Sequence, residues 1–323
     1  EQQQLGDMVQ RFFAEQYGFD ARRKILESRE GWSREIWSKM AELGLLSLQV
    51  PEEQGGMAPA VVETLLTATA TGAAMLLEPW VSSAIIGTVL IRELGSAQQR
   101  EEMLVPMAAG ERIAVPAHFE PAARYDLHRV ATSARRGGGG WVLKGRKSVV
   151  LHAPAADLLL VSARTSGAAD EATGISVFAV PREGPGVALS QYRTLDGVCA
   201  ADVELADAPG TLIGADGTAF AALATAFDQG LAVRCAEAVG ALQATEPSRR
   251  ERRRALAAAK VVVGNACRYV GQEAVQLHGG MGVTDEIAVS HLFRRLTALE
   301  MALGDTAHHL EQFVAASAQA EGT

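Results

Sequence analysis

The chain has 323 residues, enough for two or three domains. Hydrophobic residues make up 48% and aromatics only 5%, so sizeable cores are expected to be built mainly from Ala, Leu and Val. A formal net charge of −8 argues against nucleic acid or an anionic membrane surface as partner. No apolar run reaches the length of a bilayer, and no basic-then-apolar leader opens the sequence. Cys199, Cys235 and Cys267 are scattered without metal or disulfide spacing. The expectation is a soluble protein in a reducing, cytoplasmic setting, with no metal site and no membrane.

Residues 1–112 read as a helical domain. Phe12, Phe13, Ile25 and Leu26 mark apolar faces. Between Trp32 and Gly44, Ile36, Met40 and Leu43 fall at helical spacing, and Gly44 ends the run. The Pro and Gly residues of Leu46-Ser-Leu-Gln-Val-Pro-Glu-Glu-Gln-Gly-Gly56 then set a turn. Two apolar helices follow, Val61 to Met75 and Trp80 to Leu94, divided at Glu78-Pro79. One more runs from Ser96 to a stop at Gly110.

Over 113–213 the helical period disappears. Trp141 to Leu151, Leu158 to Ala163 and Ile175 to Val180 are short strand-like runs between turn signals, which suggests a small β-barrel or sandwich. Arg135-Arg-Gly-Gly-Gly-Gly140 precedes a strand rather than a helix. It therefore reads as a hairpin connection and not as a phosphate loop.

Residues 214–323 return to helices. Ala219 to Thr245 is Ala-rich, Glu246-Pro247 interrupts, and a run from Arg249 continues to Gly279-Gly280. The Arg249 to Arg254 cluster reads as a solvated helical face. Gly279 and Gly280 suit a helix C-terminus, and they also let another molecule press on bare backbone. Gln276 just before them carries donors and an acceptor. His278 fits either a contact with an adenine or ribose or a helix-end polar contact. His308 and His309 are adjacent, so on a helix they diverge and make no metal pair.

The stretch Gln276-Leu-His-Gly-Gly-Met-Gly-Val-Thr-Asp-Glu286, followed by Leu292-Phe-Arg-Arg295, resembles the C-terminal signature of the acyl-CoA dehydrogenase family. The resemblance extends over nearly the whole chain. It implies an α+β fold with an N-terminal helical domain, a middle β-barrel or sandwich, and a C-terminal helical bundle. In that family the Gln and the Gly pair bind the adenosine-diphosphate half of an FAD held mainly by the neighbouring subunit. Gln276, Gly279 and Gly280 inherit that role, with His278 beside them. Two departures stand out. The family's Thr-Glu-Pro-x-x-Gly-Ser-Asp is here Phe119-Glu-Pro-Ala-Ala-Arg-Tyr-Asp126, which keeps Glu120, Pro121 and Asp126. Its Gly-x-Lys-x-Trp-Ile-Thr-Asn is here Gly145-Arg-Lys-Ser-Val-Val-Leu-His152, which keeps Gly145 and Lys147. Val149 and Leu151 replace the Trp and Thr that flank the flavin, so this chain's own flavin face looks degraded. Arg124 and Tyr125 either fill vacated space, bind an acyl-CoA phosphate or carboxylate, or sit in an exposed loop. A family helical stretch with an Arg-x-Gln-Phe-Gly motif has no counterpart between Thr245 and Glu246: either the protein lacks it or this sequence omits it, and the good match of the flanking helices favours omission.

The family's chemistry is α,β-dehydrogenation of an acyl-CoA, in which a carboxylate removes the α-proton. One subfamily's Glu falls at Leu303, and the other's falls close to Gly230; neither is a carboxylate. Asp305, Asp228 and Glu300 are the nearest acids, but an offset of two residues on a helix turns a side chain by about 200°. Glu237 lies deeper in its helix and reads as structural. The resemblance is closest to the small subunits of hetero-oligomeric acyl-CoA dehydrogenases of the pimeloyl-CoA and steroid side-chain types. It implies a baseless subunit serving FAD on a larger partner, as an α2β2 heterotetramer in fatty acid or steroid side-chain degradation, with electron-transfer flavoprotein as acceptor. The alternatives are a homo-oligomeric dehydrogenase with Asp305 as relocated base and a non-redox acyl-CoA-binding scaffold.

Overall fold

The computed structural model describes residues 2–58, 60–244, 249–280, 284, 288–301 and 305–318. The chain divides into two compact units, Glu1–Ala241 and Leu242–Thr323. No helix among the described residues is long and apolar enough to cross a membrane.

The first unit opens with α1 (Gln2–Gln16), α2 (Phe19–Glu27) and α3 (Arg34–Glu42). Ser33 caps α3, its hydroxyl accepting from the Ile36 amide at 3.2 Å. Ile36, Trp37 and Met40 form the buried face of α3. α4 (Val61–Ala74) follows, then a π-helical segment (Trp80–Gly87) that runs into α5 (Thr88–Leu94) and α6 (Ala97–Ala108). The sequence reads Trp80 to Leu94 as one ordinary helix. The structure widens its first half, where Gly87 lies so close to the Ala114 carbonyl that a Cβ would stand 2.3 Å from it. Ser96 and Gln99 close α6 with a reciprocal capping box.

Seven strands come next: β1 (Ala114–Ala117), β2 (Ser133–Gly137), β3 (Gly140–Leu151), β4 (Leu158–Arg164), β5 (Ile175–Pro181), β6 (Val187–Arg193) and β7 (Cys199–Ile213). The path β4-β2-β3-β7-β5 returns to β4, giving a closed, barrel-like sheet; β1 adds beside β4 and β6 beside β7. The glycine run makes the expected hairpin: β2 and β3 pair antiparallel, and Gly138 and Gly139 turn with φ of 63° and 87°. One apolar cluster joins the helical layer to the sheet through Trp37, Trp80, Ile85, Val115, Leu143 and Phe178. α7 (Phe220–Ala244) lies against α4, backbone to backbone. A Cβ on Gly72 would stand 1.9 Å from the Glu237 carbonyl oxygen, and one on Gly240 would stand 1.8 Å from that of Thr69.

The second unit contains α8 (Arg249–Leu277), α9 (Ala288–Met301) and α10 (Thr306–Ala318). Gly271 of α8 meets Phe293 of α9, and Gly264 of α8 meets Thr306 of α10. The break at Glu246-Pro247, and with it the junction where the family's extra stretch would enter, lies outside the described residues, as do Glu286 and Leu303.

Candidate functional site

The segment after β1 carries the first group of expected residues, and the fold turns its charges inward. Lys147 of β3 has no exposed surface. Its ammonium donates to Glu120 Oε1 at 2.7 Å, to the His118 carbonyl at 3.0 Å and to Ser162 Oγ at 3.0 Å. Glu120 also accepts from the Ala131 and Thr132 amides at 2.9 and 3.0 Å. Burial pulls the Lys147 ammonium down to about 8, against the opposing pull of Glu120. Burial pushes the Glu120 carboxyl up, but Lys147 and the Thr132 bonds outweigh it and hold it below the ordinary range. His118 is kept neutral: burial, reinforced by Lys147, takes it to about 3. Glu120 and Lys147, found by motif, thus meet as a buried ion pair that anchors the loop to the sheet.

The same loop removes one of the three readings of Arg124 and Tyr125, that they fill vacated space. Both are exposed, Tyr125 at 90%, so neither fills a pocket. The filling is done by Phe119, which stands where the family has Thr. Its ring packs 5.1 Å from that of Phe227 on α7, and the His118 ring lies 5.2 Å from Phe227. The sequence marked Phe119 as a departure without foreseeing this partner, because Phe227 is over 100 residues away.

At the second motif, β3 slips register against β7 between Lys147 and Val150. Val149, in the position of the family's Trp, has φ 52° and is 52% exposed. A β-branched residue in the left-handed region is strained. Its amide donates to Asp202 Oδ1 at 3.1 Å. His152, also left-handed, is buried with Nε2 3.1 Å from the Leu77 carbonyl and Nδ1 2.8 Å from Ser82 Oγ. A carbonyl only accepts, so Nε2 carries the proton and Nδ1 accepts from the serine. Burial, with Arg234 adding to it, lowers this imidazole to about 4.

The positions weighed for a base lie in different surroundings among the described residues. Gly230 is buried, and a Cβ there would stand 2.7 Å from two carbons of Ile86. Asp228 is exposed. Glu237 is bound by Arg234 at 2.7 Å and by Thr71 at 3.2 Å, as a structural role requires. In the second unit, Asp305 is an exposed cap of α10, its Oδ1 accepting from the His308 amide at 2.8 Å. Glu300 accepts from the Thr306 hydroxyl at 2.8 Å, the Thr306 amide at 3.1 Å and Arg268 at 2.7 Å. Those bonds pull its carboxyl down to about 2, which makes it a poor proton acceptor.

The C-terminus of α8 has the opposite character. Gln276, Leu277, His278, Gly279 and Gly280 are all exposed. Gly279 takes φ 56°, and His278 Nδ1 donates back to the Ala274 carbonyl at 2.8 Å, the helix-end contact that the sequence left open. Among the described residues, nothing lies within 4 Å of where a Cβ would stand on Gly279 or Gly280. A nucleotide laid on Gly279 and Gly280 would meet bare backbone, with the exposed side chains of Gln276, Leu277 and His278 beside it, so these residues fit the adenosine-diphosphate end of FAD. The His308 and His309 rings do not diverge as expected; they meet edge to face, with centroids 5.3 Å apart, because adjacent helical side chains still share a flank. No group of three metal-ligating side chains occurs among the described residues.

Comparison with known proteins places these observations. Residues 1–111, 117–207 and 218–318 match the N-terminal, middle and C-terminal domain families of acyl-CoA dehydrogenase. The chain is 32% identical to the benzylmalonyl-CoA dehydrogenase of Aromatoleum aromaticum over 59% of its own length and 50% of the relative's. It is 33% identical to acyl-CoA dehydrogenase FadE12 of Mycobacterium tuberculosis over 64% of its own length and 55% of that protein's. It thus spans about half the length of the curated relatives it matches. Among solved structures, its fold is shared with the ChsE4-ChsE5 complex from Mycobacterium tuberculosis, at a TM-score of 0.65 and 21% identity over 98% of this chain and 97% of that one.

Proposed function

The chain belongs to the acyl-CoA dehydrogenase family, and on that premise we propose that it is the subunit of an FAD-dependent acyl-CoA dehydrogenase that lacks its own base and completes the flavin site of a larger partner. The division 1–112, 113–213 and 214–323 then corresponds to its N-terminal, middle and C-terminal domains. The observation that carries this reading is the contrast between two sets of positions. The glycine corner of α8 is bare and open. The positions that would serve this chain's own flavin and substrate hold Phe119 packed on Phe227, a strained Val149, and Ile86 against Gly230.

Bound FAD supplies the hydride acceptor for α,β-desaturation of the acyl-CoA. This chain contributes binding and orientation: Gly279 and Gly280 offer backbone, and Gln276 offers an amide that both donates and accepts. His278 is held at the helix end by its bond to Ala274. In a flavin-linked assembly of this kind, electrons pass on to an electron-transfer flavoprotein, and cytoplasmic α2β2 pairing with a larger acyl-CoA dehydrogenase subunit is the arrangement we expect. The solved ChsE4-ChsE5 assembly is itself a complex.

Purifying the chain alone and together with candidate larger subunits tests the reading through visible flavin absorbance and acyl-CoA oxidation. The chain alone is expected to be colourless and inactive, and the pair to be yellow and active. A yellow, active protein made only of this polypeptide overturns it. Asp305 as relocated base finds no support in an exposed helix cap.

A further inference from the structure

The first unit contains a cavity of about 590 Å³ between the α2–α3 connection and the strands β6 and β7. Arg29, Arg182, Arg193, Trp32 and Tyr192 are among its lining residues, and Glu30 is the one carboxylate there. We propose that this cavity binds an organic phosphate of nucleotide size, with the phosphate or pyrophosphate held by the three arginines.

Three features support it. First, Arg193 is fixed in place by neutral groups rather than by a carboxylate. Its guanidinium donates to the Ser28 carbonyl at 2.9 Å and to the Gly197 carbonyl at 3.3 Å, so its charge is left uncompensated. Gly31 makes room for it: a Cβ there would stand 1.9 Å from Arg193 Nη1. A guanidinium wedged in this way is preorganised, and little side-chain freedom remains to be lost on binding. Second, Arg29 has neither an ion pair nor a hydrogen bond among the described residues. Arg182 Nε is tied to the Ala156 carbonyl at 2.7 Å and Nη2 to the exposed Glu183, which leaves its remaining N–H groups for a ligand. Third, the neighbouring acid is already spent, since Asp202 takes Arg146 at 2.7 Å and the Tyr192 hydroxyl at 3.0 Å. With Glu183 paired to Arg182 and Glu30 in the lining, three guanidinium groups still leave the cavity with a net positive charge, and phosphate matches their forked donors. A bare phosphate would leave most of 590 Å³ unfilled, whereas a nucleotide fills it and can lie along Trp32 and Tyr192.

Calorimetric titration of the full chain with ADP, coenzyme A, pyrophosphate and adenosine tests this. ADP and pyrophosphate are expected to bind and adenosine not to. Coenzyme A binding as tightly as ADP would show that the shared pyrophosphate is the recognised part, and weaker binding would restrict the site to smaller nucleotides. Arg29→Gln, at an exposed side chain with no partner to lose, is expected to weaken pyrophosphate binding several-fold. Arg29→Gln with Arg182→Gln is expected to weaken it about tenfold or more. Circular dichroism of both variants confirms folding. Absence of pyrophosphate binding at millimolar concentration, or binding unchanged in the folded double variant, overturns the proposal.

Discussion

Two stretches that the family sets against flavin, one against the subunit's own and one against its neighbour's, have opposite characters in this chain. Residues 117–152 keep their motif groups inside: Lys147, Glu120, His118 and His152 are buried and bonded within the fold. Residues 276–280 are all exposed, with the bare backbone of Gly279 and Gly280 beside the side chains of Gln276, Leu277 and His278. The difference teaches that motif residues can be held by a structural demand as well as by a ligand. Glu120 and Lys147 are needed to hold the loop on the sheet whatever sits outside it, whereas Val149 and Leu151 answer to no such demand. Gly279 and Gly280 meet no described neighbour where a Cβ would stand, and a fit to a ligand is the reason we propose for that form.

The largest expected effect breaks the inward-turned half of this contrast. Lys147→Met leaves Glu120 as a buried, uncompensated carboxylate and is expected to destabilise the chain by about 3–5 kcal/mol in denaturant unfolding. Adding Glu120→Gln should recover much of that loss; no recovery would mean that the pair acts through packing alone.

Glu78 sharpens the same point through pH. It is 2% exposed, and burial pushes its carboxyl up to about 7 against hydrogen bonds from Tyr17 and Ser33. The native state therefore keeps a proton that the unfolded chain gives up near 4.5. The native state binds more protons across that window, so stability is full below it, falls as pH rises through it, and stays reduced above it. Glu78→Gln is expected to raise stability at about pH 8 by up to about 3 kcal/mol and to change little at about pH 4. An equal effect at both pH values would refute a titrating carboxyl.

Gly72→Ala tests the contact that ties α7 to α4. The added Cβ meets the Glu237 carbonyl, and a loss of about 1–3 kcal/mol is expected.

The outward half of the contrast is addressed by Gly280→Ala. In open space it should leave the chain folded while lowering FAD retention of the assembled complex about tenfold, or about 1.4 kcal/mol. Unchanged flavin content would remove the corner from the cofactor site. The smallest effect is at Asp305. Asp305→Asn preserves the cap, so both stability and turnover of the assembly should be unchanged, while Asp305→Ala should cost about 1 kcal/mol of stability and no turnover. A collapse of turnover in Asp305→Asn would restore that residue as a base.

Much of the fold was legible because it rests on local rules. The strand periods of Trp141 to Leu151 and Ile175 to Val180, the glycine hairpin and the caps at Gly44 and Gly279 all depend on neighbours in sequence. The π-helical turn at Trp80 was not legible, since it follows from β1 approaching Gly87. At the candidate site, the motif residues could be named but their direction could not. Nothing local says that Lys147 points inward to Ser162, or that Phe119 would find Phe227.

The sequence by itself determined the family and the order of helical and β segments, and it put Leu303 and Gly230 where the resemblance leads one to expect a carboxylate. These are matters of residue identity and period. Only the tertiary structure decided that Glu120 and Lys147 neutralise each other in the interior, that Ile86 fills the space beside Gly230, and that three arginines from separate segments surround one cavity. Burial and charge pairing are properties of groups brought together across long stretches of chain, and no local pattern encodes which of them will meet.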